Sequence, residues 1–403
     1  MHGCEIEPVT TAKPTICFVA QRAYNVLARS TGMKHIGGAE TQQVLLARGL
    51  VELGHRVSFV VHDHGQEDGQ LIDGIHVYKS YRPEAGVRGL RFLHPRLMRL
   101  WAAMRAANAD VYYQRGAETE TGLVANWCRR HRRKFVFAVA GHHMLLPNPP
   151  TNPPWREKAL FRYGMSNADL ILVQTQQQQS LLDECYSLDS TVHRNCSPPQ
   201  FEMKHPATPN RNERSGVLWV GRLDKIKRLE WCLEAARSTP EQTFTVVGTA
   251  NRPSSYASSL IRQASELSNV SMVDYVPPTH MEHYYGRAAV LLCTSVSEGF
   301  PNTFLEAWCC GTPVVTTVDP DGLVGTHTLG RVAHTRNDLR GALTALTTDS
   351  ALWDACSCNC ARYVEKHHNL DTIVLQLSHQ LCLLPAGSRD QHCRALPECS
   401  AHA

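Results

Sequence analysis

The stretch Ala289–Thr316, AVLLCTSVSEGFPNTFLEAWCCGTPVVT, carries the clearest structural message in the chain. It opens on a short apolar run, Ala289–Cys293, of the kind that forms a strand buried on both faces of a parallel sheet. A turn containing Glu298-Gly299 follows. Pro301 suits the first position of a helix, where its missing N–H would have had no partner anyway. Gly311 and Pro313 close that helix, and Pro313–Thr316 reads as the next strand. The helix N-terminus therefore leaves the carboxyl end of a sheet, where its free N–H groups and its dipole favour a phosphate. Glu298 stands just before the helix and Glu306 more than a turn inside it. Carboxylates accept well from paired hydroxyls. The two glutamates are thus placed to grip different hydroxyl-bearing parts of one ligand lying along Gly299, Phe300, Asn302 and Thr303. The plainer alternative is a capped helix with a surface glutamate.

The same alternation runs outward in both directions. Thr15–Ala20, Val57–Val61, Ile75–Tyr78, Asp110–Gln114, Phe135–Val139 and Ala168–Val173 read as strands. Helical patterns lie between them: from Val44 to Leu53, capped by Gly54, from Arg96 to Ala109 and from about Gly122 to His131. Ser197–Arg214 is rich in Pro, Asn, Lys and Arg and reads as a linker. Val217–Val220, Thr243–Val247 and Val270–Val273 then restart the pattern. Strands alternating with helices imply parallel sheets covered on both faces. The expected organisation is a first Rossmann-like domain over 13–200, a second over 215–362 and a last helical stretch over 363–384. The tail over 385–403 lacks periodicity and is expected to be disordered.

A second chemical signal follows the first strand of the second domain, Gly221-Arg222-Leu223-Asp224-Lys225-Ile226-Lys227-Arg228. Gly221 lets the backbone turn. Arg222 and Lys227, fixed near a strand end, suit a diphosphate whose charge grows as a bond to it breaks. Alone, this segment reads equally well as a basic surface turn.

Composition sets the outer bounds. The chain has 403 residues, 43% hydrophobic and 19% charged, which fits two globular domains. Its 15 cysteines are odd in number, and several lie in apolar runs, so they suit core positions in a reducing compartment better than a disulfide framework. The start, MHGCEIEPVTTAKP, lacks a basic segment followed by an apolar core, and no run approaches the roughly 20 apolar residues that span a bilayer. A cytoplasmic protein is the expectation. Net charge is +4 overall, yet Arg82–Lys134 holds twelve Arg or Lys against four Asp or Glu. That excess attracts phosphates, acidic substrates or anionic lipid, unless it is simply a solvated face. Within it, Arg96, Arg99 and Arg105 flank Leu97, Trp101 and Met104, as in a helix lying in a membrane interface. The rival is a helix whose apolar side covers the sheet. Cys356-Ser-Cys-Asn-Cys360 has no fourth ligand at zinc-site spacing, so no metal is expected. Neither G-x-x-x-x-G-K-[ST] nor a first-strand G-x-G-x-x-G occurs, which argues against P-loop ATP hydrolysis and against a dehydrogenase.

Glu298 and Glu306, within SEGFPNTFLEAWCCGTPVV, resemble the E-x7-E motif of glycosyltransferase family 4. GRLDKIKR is similar to that family's G-R-x-x-x-x-K segment, and Gly37-Gly38-Ala39-Glu40 to its N-terminal glycine loop. The resemblance covers about Lys13 to Leu384. It implies a GT-B fold, with two Rossmann-like domains facing each other across a cleft. It also implies sugar transfer from a nucleotide-diphosphate donor to a hydroxyl acceptor, with retention at the anomeric carbon and without a metal. No cofactor and no nucleic-acid partner is expected. Arg222 and Lys227 would hold the donor diphosphate, Glu298 would meet the donor sugar and Glu306 the ribose, and Gly37 and Gly38 would admit donor phosphate or acceptor. The last helix would cross back onto the first domain. Many members carry a histidine directly after the strand that here ends Ala138-Val139. Ala140 takes that place, with His142 two residues later, so His142 stands as a candidate. Two other readings stay open: another GT-B enzyme of nucleotide sugars, such as an epimerase, and a non-catalytic sugar-nucleotide-binding protein.

Overall fold

The computed structural model describes residues 13–30, 37–86, 92–116, 119–146, 154–201, 211–250 and 254–384. Two sheets carry the architecture. The first contains β1 (Ile16–Val19), β2 (Val57–Val61), β3 (Gln70–Ile72), β4 (Ile75–Lys79), β5 (Val111–Arg115), β6 (Lys134–Ala138), β7 (Leu170–Val173) and β8 (Thr191–Val192). They lie in the order β3-β4-β2-β1-β5-β6-β7-β8, parallel except for the β3–β4 hairpin. The second contains β9 (Val217–Val220), β10 (Phe244–Val247), β11 (Val270–Val273), β12 (Val290–Cys293), β13 (Val314–Thr316) and β14 (Gly330–Val332). Its order, β11-β10-β9-β12-β13-β14, is that of a Rossmann sheet, with all paired strands parallel.

The apolar runs are strands because both faces are covered. Every residue of β1, β2 and β12 is buried. The two sides of the first sheet feed separate clusters, one built on Phe18, Phe59 and Tyr113, the other on Tyr112, Trp127, Phe135 and Phe137. Parallel strands need such cover, and the crossover helices supply it.

Two details differ from the sequence reading. Pro301 occupies the cap position, and the helix runs from Asn302 to Cys309, with Gly311 beyond its end at φ +67°. The last helical stretch is two helices, Ser350–His367 and Leu370–Cys382, broken at His368-Asn369. The break has a physical cause. Ser197 donates to the His368 carbonyl through both its N–H (2.8 Å) and its hydroxyl (3.0 Å), and the Asn369 side chain caps the next helix. That helix crosses to the first domain, burying Ile373, Val374, Leu377 and Leu381 in its core. Gly49 permits the approach, since a Cβ there would lie 2.6 Å from Val374. His55 Nε2 meets Ser378 Oγ at 2.7 Å beside it.

Of the basic segment, the helix Met98–Ala107 buries Leu100, Ala103 and Met104 against the first sheet. The rival sequence reading thus describes its apolar face. Arg96 is committed too, donating to the carbonyls of Ala85 and Pro83 and lying over the Tyr81 ring. No helix among the described residues is long and apolar enough to cross a membrane. Cys356 and Cys360 are buried one turn apart in the Ser350–His367 helix, as core side chains. The tail over 385–403 lies outside the described residues.

Candidate active site

Ligands of open α/β sheets bind beyond the carboxyl ends of the strands, where the strand order reverses. In the second sheet that point lies between β9 and β12, and the two motif segments leave these two neighbouring strands. Backbone and side-chain bonds zip them together. Val296 N–H donates to the Ile226 carbonyl (2.8 Å), and the Thr294 hydroxyl donates to that of Lys227 (2.7 Å). Arg228, in the left-handed region at φ +48°, donates to Thr294 O (2.7 Å), Ser295 O (2.9 Å) and Thr317 Oγ1 (3.0 Å) while stacking on Trp231. The sequence reading gave Arg228 no role; its φ and its partners are tertiary facts. A Cβ on Gly221 would lie 3.0 Å from the Trp219 ring, and Gly248 passes so near that a Cβ on it would overlap the Gly221 carbonyl.

The zipped loops deliver Lys227 Nζ to Glu298 Oε1 at 2.5 Å. Burial acts to lower the Lys227 pKa, but the Glu298 carboxylate outweighs it and holds the ammonium above its ordinary value. Arg222 stands nearer solvent, its side chain 52% exposed, paired with Asp224 at 3.1 Å. Glu306 is half-buried and accepts from the Tyr285 hydroxyl at 2.6 Å. Burial pushes its carboxyl up to about 7, opposed by the Tyr285 bond. Thr303 lies half-buried in the first turn of the Asn302–Cys309 helix.

Phe300 and Asn302 face the first domain. The Phe300 ring is buried against His368 and Trp308, while its N–H donates to Gln174 Oε1 (3.0 Å) and its carbonyl accepts from Asn195 Nδ2 (3.2 Å). Asn302 Nδ2 donates to the Gly38 carbonyl (3.0 Å), and Asn302 Oδ1 accepts from Asn195 (2.9 Å). A Cβ at Gly38 would lie 2.8 Å from Asn302 Nδ2, so the Asn302 amide that bonds its carbonyl would have to shift. At Gly37 a Cβ would overlap the Glu40 carboxylate. Nearby, Asp321 accepts from the N–H groups of Gln176 and Gln177, at 2.9 Å each, at the start of the Gln176–Tyr186 helix. The carboxyl ends of the two sheets therefore face each other in contact.

His142 and His143 lie in a short turn, His142–Met144, after β6. Burial lowers the pKa of both. For His143 the Glu298 carboxylate opposes that shift, whereas His142 and Arg222 add to it. His142 stands beside His143 in this turn, and the pKa of His143 responds to Glu298 and Arg222. The turn seats the His143 ring against Gly141, where a Cβ would lie 2.8 Å from it. Gln174, Asn195 and Asp321 carry no signal in the sequence. Each is an ordinary polar residue in sequence and gains its place only when the domains meet.

Two sequence profiles match the chain, a glycosyl transferase 4-like domain over residues 37–194 and glycosyl transferases group 1 over residues 214–349. Together they cover most of it. The chain belongs to glycosyltransferase family 4, and its two facing Rossmann-like domains form the GT-B fold. It is 29% identical over 224 residues to a D-inositol 3-phosphate glycosyltransferase of Mycobacterium leprae, covering 48% of this chain and 50% of that protein. The chain spans about half the length of the curated relatives it matches. Among solved structures, sucrose-phosphate synthase from Thermosynechococcus elongatus superposes with a TM-score of 0.73 at 19% identity, covering 91% of this chain and 98% of that one. A trehalose-6-phosphate protein from E. coli, solved with UDP-2-fluoro glucose bound, gives 0.67 at 12% identity, covering 92% and 99%.

Proposed function

We propose that this protein transfers a sugar, with retention, from a nucleotide-diphosphate sugar to an acceptor hydroxyl, without a metal or other cofactor. The observation that carries the reading is the Lys227–Glu298 pair, with Arg222 beside it, at the β9/β12 reversal and facing the first domain. A donor diphosphate competes with Glu298 for Lys227 and with Asp224 for Arg222. Glu298 then turns to the hydroxyls of the donor sugar, and Glu306 accepts from the ribose. As the bond from the anomeric carbon to the phosphate oxygen breaks, Arg222, Lys227 and the free N–H groups before Glu306 stabilise the growing charge. The acceptor oxygen bonds to the anomeric carbon from the same face, and its proton passes to the leaving diphosphate.

A phosphorylated polyol is the first acceptor to try, because curated relatives are named for D-inositol 3-phosphate. The basic segment 82–134 adds a second proposal, peripheral contact with anionic lipid at the inner face of a membrane from the cytoplasmic side. The first test is a thermal-shift screen against UDP, GDP, ADP and CDP sugars, since a ligand that binds only the native state raises its apparent stability. Transfer to D-inositol 3-phosphate and to simple sugars follows, with product stereochemistry read by NMR. Binding of one nucleotide class and α-to-α transfer are expected. Binding without turnover across the acceptor panel would make this a sugar-nucleotide-binding protein, and an inverted product would overturn retention.

A further inference from the structure

We propose that Gln174 is a positioning residue that sets the spacing between the His142–His143 turn of the first domain and the Glu298 turn of the second. The inference rests on the transfer reading of the cleft. Gln174 follows β7 and is 4% exposed. Its backbone is fixed, with its N–H donating to Gln178 Oε1 at 2.8 Å. Both ends of its carboxamide are committed. Nε2 donates to the Val139 carbonyl at 2.7 Å, and Oε1 accepts from Phe300 N–H at 3.0 Å and from Asn195 Nδ2 at 3.1 Å. Val139 stands three residues before His142, and Phe300 two residues after Glu298. One planar amide thus bridges the two turns that carry the candidate chemistry. Its orientation follows from its partners, since a carbonyl must meet the NH2 end and an N–H must meet the oxygen.

Gly299 completes the spacer. A Cβ at 299 would lie 2.7 Å from the Ala140 carbonyl and 2.7 Å from Gln174 Nε2. A side chain there would push apart the turns that Gln174 draws together. Glycine at 299 is therefore required by the first domain's approach, at a residue whose φ is not in the left-handed region. Catalytic groups held across a domain interface are sensitive to such spacing, and a misplacement of about 1 Å costs on the order of 10²-fold in rate.

Glutamate at 174 supplies a discriminating test. Ionised, it still accepts from Phe300 N–H but sets an oxygen against the Val139 carbonyl. Protonated, it has the same bonding pattern as glutamine. Leucine removes both bonds. With the nucleotide sugar that the thermal-shift screen selects, Gln174→Leu is expected to bind the matching nucleoside diphosphate within about threefold of wild type, because Arg222, Lys227 and Glu306, proposed to hold the diphosphate and ribose, lie in the second domain and do not touch Gln174. Its kcat should fall by about 30- to 100-fold, consistent with that sensitivity to misplacement. Gln174→Glu should be slow at pH 8 and regain activity relative to wild type toward pH 6, while Gln174→Leu should not. Hydrogen exchange should show Phe300 N–H less protected in Gln174→Leu. A Gln174→Leu protein with kcat within twofold of wild type, or a glutamate variant with the wild-type pH profile, overturns the proposal. If the wild type itself transfers nothing, the transfer reading fails, and exchange then decides alone: unchanged protection at Phe300 removes the bridge.

Discussion

The two walls of the cleft are built from different chemistry. The second domain presents ionisable side chains, Arg222, Asp224, Lys227, Glu298 and Glu306, several already in contact with one another. The first domain presents mostly amides, backbone carbonyls and imidazoles: Gly38, Gln174, Asn195, His142 and His143, the histidines disfavoured as cations by burial. Arg115 also reaches this wall, donating to Asn195 Oδ1 at 2.7 Å. Charge lies where a diphosphate would leave, and neutral hydrogen-bonding groups set how closely the other domain stands. One wall is suited to changing a barrier through electrostatics, the other through distance.

The largest expected effect breaks the charged wall. Lys227→Ala and Arg222→Ala should each lower kcat by on the order of 10²–10³ with the fold intact, as for loss of one group stabilising transition-state charge. Lys227 and Glu298 touch, so Lys227→Ala and Glu298→Ala should combine to less than the sum of their separate effects. Steady-state kinetics on the two single variants and the double decide this. Near-wild-type turnover in both folded cation variants would sink the diphosphate assignment.

Within the same wall, Glu298 and Glu306 should separate. Glu298→Ala should mainly lower kcat. Glu306→Ala should mainly raise the donor KM, by about tenfold or more, the scale of a lost hydrogen bond to a charged group at about 1.5–3 kcal/mol. Because burial carries Glu306 up to about 7, the donor KM should fall as pH rises from 6 to 8 and the carboxylate forms. Glu306→Gln should flatten that dependence, and reversed kinetic effects would exchange the two roles. The same shift has a stability consequence of definite sign. A folded pKa above the unfolded one favours the protonated fold, so this contribution is full below about 4.5 and is lost as pH rises through about 7.

The charged wall was legible in sequence because local signals carry it: an apolar strand, a turn and a helix start bring Arg222, Lys227, Glu298 and Glu306 to one sheet edge without knowledge of the other domain. The strands were legible for the same reason, as runs such as Val290–Cys293 are apolar throughout. The neutral wall was not. Gln174 ends a strand as any polar residue does, and its importance lies in Phe300, 126 positions away. The helix break at 368 was hidden because its cause, Ser197, belongs to another part of the chain. Lys227 and Glu298 were each singled out, but given separate partners; their direct pairing needed the loop contacts through Arg228 and Thr294.

Acid should weaken the fold through its buried imidazoles. Burial pushes His193 down to about 4 and His368 down to about 3. Both bind more protons when unfolded, so their stabilising contribution is full above about 6.5 and is lost as pH falls toward the folded values. Between pH 7 and pH 5 each should cost about 2 kcal/mol, since the unfolded imidazole gains its proton over that range and the folded one does not. Denaturant unfolding at the two pH values measures the loss, and His193→Gln and His368→Gln should each reduce it. A variant that loses as much stability as the wild type between pH 7 and pH 5 would contradict the neutral burial of the ring it replaces.

The smallest effect concerns the outer face of the first domain. Arg99 and Arg105 are exposed on the Met98–Ala107 helix, whose apolar side is occupied by the sheet. Insertion of that side into a bilayer would require unpacking Leu100 and Met104 from the core and uncovering the sheet face they pack against. Met98, 62% exposed, is the large apolar side chain this helix leaves open, and lipid contact otherwise falls to the arginines, as attraction between charges and headgroups. Such attraction is worth about 1 kcal/mol per residue near an anionic surface and decays within a Debye length of about 10 Å at 0.1 M salt. Co-sedimentation with vesicles containing phosphatidylserine should accordingly be detectable at low salt and absent at high salt. It should be absent with purely zwitterionic vesicles, and weakened about fivefold for each of Arg99→Gln and Arg105→Gln. Salt-independent binding would mean that an apolar surface takes part after all. No binding to anionic vesicles at low salt would remove the membrane contact and leave the basic face to a soluble, anionic acceptor.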